Sequence, residues 1–158
     1  MTDVSIAEYR ALAEFRYQIR RFLQFSAEAA RAHGLEPQQH QLLLAIKGLP
    51  ESARPTIGEL AERLQIQHHS AVELGNRLEA GGFVRRERAQ QDRREVLLAL
   101  TTKGERVLAE LALHHHEQLR SAGPVLVAAL RRVMHGDNET SEKHRRSPRE
   151  KRKSIHQE

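Results

Sequence analysis

From residue 4 to about residue 33 the apolar positions return every three or four residues. Ile6, Tyr9, Leu12, Phe15, Ile19, Phe22, Leu23, Ala29 and Ala30 make one long stripe, which predicts a helix closed by Gly34. A second helix is expected from Leu35-Glu36-Pro37, with proline tolerated in its first turn, through Leu42, Leu43, Leu44 and Ile46 to Gly48. Thr56-Ile57-Gly58-Glu59 has the spacing of a capping box, and Ile57, Leu60, Ala61 and Leu64 behind it share a face. After Ile66 the period resumes with Ala71, Leu74, Gly75 and Leu78 inward, and Gly81-Gly82 supplies a left-handed stop. The period then falls to two. Residues 83–88 and 95–100 read as strands joined by the polar tip 89–94. Thr101 or Thr102 opens a helix expected to run to about Ser121, and Gly123-Pro124 is expected to break it before a last helix through Leu126, Leu130 and Met134.

Helix, tight turn, helix and an arginine-bearing hairpin make a winged helix-turn-helix. The fold class is therefore mainly α with a small β-hairpin wing, flanked by helices from both ends of the chain. The expected organisation is a helical region from residues 4–34 and 101–135, a winged module over 35–100, and a basic tail over 136–158. The tail has almost no apolar residues and cannot bury enough surface to order itself, so a solvated, disordered tail is expected.

Charge sharpens this picture. The 158 residues carry a formal charge of +5. The wing stretch 83–95 holds five arginines against three acids, and the tail seven Lys/Arg against five acids. A positive excess gathered on wing and tail favours nucleic acid over a membrane surface. There is no cysteine, hence no disulfide, thiolate zinc site or thiol sensor. With no apolar leader or spanning run, a cytoplasmic location and no membrane partner are expected. No phosphate-cradling glycine loop, nucleophile elbow or paired-histidine motif is present, so no enzyme and no cofactor are expected.

The combination Arg77-Leu78-Glu79-Ala80-Gly81-Gly82-Phe83-Val84-Arg85-Arg86, then Asp92-Arg93-Arg94, then Leu100-Thr101-Thr102-Lys103-Gly104 resembles the MarR family of bacterial transcription regulators. The likeness is strongest from Leu35 to Leu111 and does not reach the tail. It implies a homodimer whose terminal helices interleave, binding double-stranded DNA at a near-palindromic operator as a regulator, most often a repressor. It further implies release by a small aromatic or phenolic acid.

In helix-turn-helix docking the second helix offers its N-terminal residues to base edges in the major groove. Gln67, His68, His69, Ser70, Val72, Glu73, Asn76 and Arg77 occupy the matching positions. Gln67 can read adenine bidentately. Glu73 departs from the family pattern and is expected to pair with Arg77 one turn along. Adjacent His68 and His69 diverge around the helix, so contact with DNA, not metal, is expected. On the wing, Arg86, Arg88, Asp92, Arg93 and Arg94 are candidates. By resemblance Arg94 enters the minor groove, steadied by Asp92, and Arg93 contacts phosphate. Narrow minor grooves concentrate negative potential, which suits a guanidinium. Effector candidates are Phe15, Arg16, Ile19, Phe22, His40 and Leu44.

His114-His115-His116 invites a metal reading, but consecutive helical positions splay about a hundred degrees apart. At most one can face any given site, and no metal ligand set is expected. Two alternatives remain open: a winged helix serving as a protein-interaction module, and a metal-gated regulator.

Overall fold

A computed structural model describes residues 4–90, 92 and 94–135, so the basic tail and Arg93 lie outside the described residues. In chain order the elements are α1 (Ile6–Ala32), α2 (Pro37–Lys47), α3 (Ile57–Leu64), α4 (His68–Ala80), β1 (Val84–Arg88), β2 (Val96–Leu100) and α5 (Thr102–His135). They form two compact units. The body is Arg21–Ala122; the second unit consists of the outer ends of α1 and α5, residues 4–20 and 123–135. None of these helices is long and apolar enough to cross a membrane.

The body core is leucine-rich. Leu42 and Leu43 of α2, Leu60 of α3, Leu78 of α4, Leu98 of β2 and Leu111 of α5 are fully buried, with Ala30, Phe83 and Val84 beside them. At about 25 cal/mol per Å² of apolar surface, each such leucine contributes roughly 2 kcal/mol, which makes this cluster the main favourable term in the body.

Local chemistry sets the element ends. Glu36 and Gln39 form a reciprocal capping box at the start of α2, with Pro37 as its first residue. Thr56 caps α3 by accepting from the Glu59 amide. The second half of the box expected there does not form, because the Glu59 carboxylate turns outward to Arg63 one turn along. Gln65 adopts a left-handed conformation (φ 54°) between α3 and α4, and Gly82 (φ 73°) ends α4. β1 and β2 pair antiparallel from Val84↔Leu100 to Arg88↔Val96. The chain leading into α3 also joins this sheet: the Leu98 amide donates to the Pro55 carbonyl, and Thr56 bridges Leu97. Wing and helix-turn-helix therefore share hydrogen bonds.

The helix break expected at Gly123-Pro124 does not occur. α5 runs unbroken from Thr102 to His135 with Pro124 inside it. Proline removes one helical N–H and crowds the carbonyl four residues back, here Arg120. Both residues are exposed, so water can take the freed carbonyl, and the helix formers on both sides carry the helix across.

Candidate nucleic-acid interface

α4 has two unlike faces. Ala71, Leu74, Gly75 and Leu78 are buried against the body. Gln67, His68, His69, Glu73, Asn76 and Arg77 are exposed, with Ser70 and Val72 half-buried between the faces. Gly75 permits close packing: a Cβ there would lie 3.3 Å from the Leu98 side chain of β2. Glu73 and Arg77 stand 3.8 Å apart on successive turns, both exposed, so the acid at this position is partly neutralised by its neighbour.

The wing follows α4 directly. Its first strand buries only Val84 and exposes Arg85, Arg86, Glu87 and Arg88. Arg85 is held by Glu87 and by the Leu100 carbonyl, to which it donates at 2.8 Å. Arg86 donates to Glu79 and, at 2.6 Å, to the Asn76 side-chain oxygen. At the tip, Asp92 accepts from the backbone amide of Arg94 at 2.9 Å. The carboxylate thus shapes the turn that carries Arg94, instead of gripping its guanidinium as expected, and the Arg94 residue is exposed. Ala89, expected in the polar tip, is buried and donates its amide to the Glu95 carbonyl, extending the pairing by one residue.

Behind the wing, Thr101 caps α5 by accepting from the Gly104 amide, and its hydroxyl donates to the Gly82 carbonyl at 2.6 Å. Lys103 donates to the Gly81 carbonyl and sits 4.2 Å from the centre of the Phe83 ring. The Leu-Thr-Thr-Lys-Gly segment therefore fastens α5 to the end of α4.

The effector candidates divide. Phe15, Arg16 and Ile19 belong to the outer unit, with Arg16 exposed. Phe22, His40 and Leu44 belong to the body, where Leu44 faces outward. Phe22 and His40 do meet, around His115: ring centroids lie 5.9 Å and 5.0 Å from it. His115 donates from Nδ1 to the Leu111 carbonyl at 2.7 Å and meets the Ser26 hydroxyl through Nε2 at 2.9 Å. Phe25 closes edge-on at 5.5 Å. His33 and His114 make a second ring pair, with His33 Nε2 3.6 Å from the Glu110 carboxylate. As the helical splay requires, one histidine of the run turns inward. Which one, and that Ser26 and His40 await it, depends on how three helices meet. Among the described residues no group of three His, Cys, Asp or Glu could hold a metal ion.

His40 is almost completely buried, and its Nδ1 has no hydrogen-bond partner. Burial, with His115 and His33 adding to it, pushes its pKa down to about 4. The neutral ring is the native form. Because the folded value lies below the unfolded one of about 6.5, stability is complete above that pH and declines as pH falls towards 4. Denaturant unfolding should show about 1.5 kcal/mol less stability at about pH 5.5 than at pH 8 from this group. His40→Gln should remove that increment; an unchanged pH dependence in the variant would contradict it.

Comparison with known proteins agrees with this geometry. A family model described as the MarR family matches residues 33–95. A putative transcriptional regulatory protein for the hcr operon of Thauera aromatica is 31% identical over 136 residues, covering 79% of this chain and 78% of that protein. Among solved structures, AbsC, a MarR family transcriptional regulator from Streptomyces coelicolor, superposes with a TM-score of 0.68 at 20% identity, over 90% of this chain and 99% of AbsC. A mutant of S. aureus MepR bound to an oligodeoxyribonucleotide shares the fold at TM-score 0.59 and 18% identity, over 90% and 92% of the two chains. The chain belongs to the MarR family of transcriptional regulators.

Proposed function

We propose that this regulator acts as a homodimer that reads a near-palindromic operator, repressing until a small aromatic or phenolic acid releases it. The observation that carries the reading is the two-faced α4: its inner side is packed, while Gln67, His68, His69 and Glu73 stand exposed at its N-terminal end beside an arginine-bearing wing. That is the arrangement a major groove requires of a reading helix. Gln67 and Ser70 would meet base edges, His68, His69 and Arg77 the base edges or phosphates around them, and Val72 an apolar contact such as a thymine methyl group. On the wing, Arg88 and Arg93 would contact phosphate and Arg94 the minor groove. The MepR complex supports DNA as the partner.

Dimerisation is supported by the outer unit. Tyr9, Leu12, Val125, Val127 and Met134 are exposed apolar side chains there. An open groove of about 660 Å³ in the same unit is lined by Ala7, Ala11 and Ala13 with Arg10, Glu14, Tyr17 and Arg132. Small side chains let another helix approach closely, and a second copy supplies one. The effector is proposed on family membership. It would release DNA only by binding the incompatible conformation more tightly.

Sedimentation equilibrium with and without a duplex tests the assembly. The expected species are a dimer alone and two protomers per specific duplex. A monomer that stays monomeric on DNA would refute the dimeric reader.

A further inference from the structure

Glu79 and Arg86 lie seven residues apart, one on the last turn of α4 and the other on β1, yet their side chains form an ion pair. The same guanidinium uses its second terminal nitrogen on Asn76, one turn earlier on α4. Asn76 and Glu79 stand three apart, hence on one helix face, and the arginine fork spans both acceptors at once. The arginine is thus committed to the protein at both ends of its fork.

We propose that Arg86 is a positioning residue and that Asn76, Glu79 and Arg86 form a clamp setting the wing's distance and angle to the reading helix. The inference rests on the DNA-reading function proposed above. A reader that places a helix in one groove and a hairpin in the next must hold the two in fixed register, because an error in either loses contacts at both. A lysine cannot replace the arginine: its single ammonium lacks the planar fork that reaches two acceptors.

The clamp makes a prediction opposite to simple charge counting. Glu79 is an acid beside a surface meant for a polyanion, so its neutralisation should tighten binding if charge alone mattered. The clamp requires Glu79→Gln to weaken it. Full-length protein would be titrated by fluorescence anisotropy against a duplex recovered by selection from a random pool and against a scrambled duplex. Glu79→Gln, Arg86→Lys and Arg86→Gln should each bind the recovered duplex roughly fivefold more weakly. Affinity for the scrambled duplex and the salt slope should stay as in the wild type. Glu79→Gln should add nothing in the Arg86→Gln background.

If Arg86 instead touches phosphate, Arg86→Gln lowers the salt slope by about 0.9, Arg86→Lys binds as wild type and Glu79→Gln binds more tightly; any of these overturns the clamp. Misfolding would weaken both duplexes alike, so an equal loss on both also overturns it. A pool yielding no enriched sequence overturns the DNA-reading function itself, whereas an enriched sequence held more tightly by Glu79→Gln overturns the clamp alone.

Discussion

Gly104→Ala should cost about 3 to 5 kcal/mol of folding stability, a loss visible as a large drop in the denaturant midpoint. A Cβ built at Gly104 would lie 2.1 Å from the Phe83 carbonyl oxygen and 3.1 Å from its carbon. The obstacle is backbone, and that backbone is fixed. The Phe83 carbonyl accepts from the Thr101 amide, Thr101 and Lys103 hold the carbonyls of Gly82 and Gly81, and the Phe83 ring is buried. Rotating the alanine gives no relief, since a methyl carbon has one position on a given backbone. The alternative is to lift the start of α5 off the end of α4, which breaks those bonds together. Gly58→Ala is the control: nothing lies within 4 Å of a Cβ there, so it should be neutral or gain at most about 1 kcal/mol. Equal midpoints for the two variants would refute this account.

Arg94→Ala should weaken binding to a specific duplex roughly thirtyfold, about 2 kcal/mol, with little loss of fold stability. The Arg94 residue is exposed, and the Asp92 bond that shapes its turn uses its backbone amide, which alanine keeps. The turn should therefore survive while the guanidinium is lost. Two further signatures follow from a minor-groove contact: the salt slope falls by about 0.9, and the loss is greatest on sites with narrow A·T-rich flanks. Asp92→Ala should act differently, loosening the turn and lowering affinity with the slope intact. Unchanged affinity of Arg94→Ala at moderate salt would remove the wing from the reading mechanism.

The fold was legible wherever one periodicity ran to a chemical stop. The α4 core positions Ala71, Leu74, Gly75 and Leu78 read directly from the helical period, and all four are buried. Both wing strands fell within one residue of their observed limits, because the shift from period three-four to period two is abrupt after Gly82. Pro124 misled because a proline's local cost says nothing of the helix formers around it or of the solvent that can take up its freed carbonyl. Glu59 fitted a capping box by spacing, but a carboxylate with Arg63 one turn along has a second partner, and the pattern cannot choose between them.

The site was legible to a lesser depth. Outward faces follow from inward ones, so the exposed side of α4 could be named residue by residue. Which outward side chains are already occupied could not. Arg86 reads as a cation facing outward on a strand, and only the packing of β1 on α4 brings Asn76 and Glu79 to it. The histidines make the same point in the interior. His40 on α2, His115 on α5 and Ser26 on α1 lie far apart in sequence, and their meeting depends on helix rotations that periodicity leaves free.

Selection of bound sequences from a random duplex pool, with the full-length protein at near-physiological salt, tests the central claim most directly. The account predicts an enriched near-palindrome with half-sites about one helical turn apart, matching two copies of α4 related by a twofold axis. Salt-sensitive binding with no enriched sequence would contradict it, leaving the basic wing and tail as a non-specific cationic surface and the winged helix as a protein-interaction module.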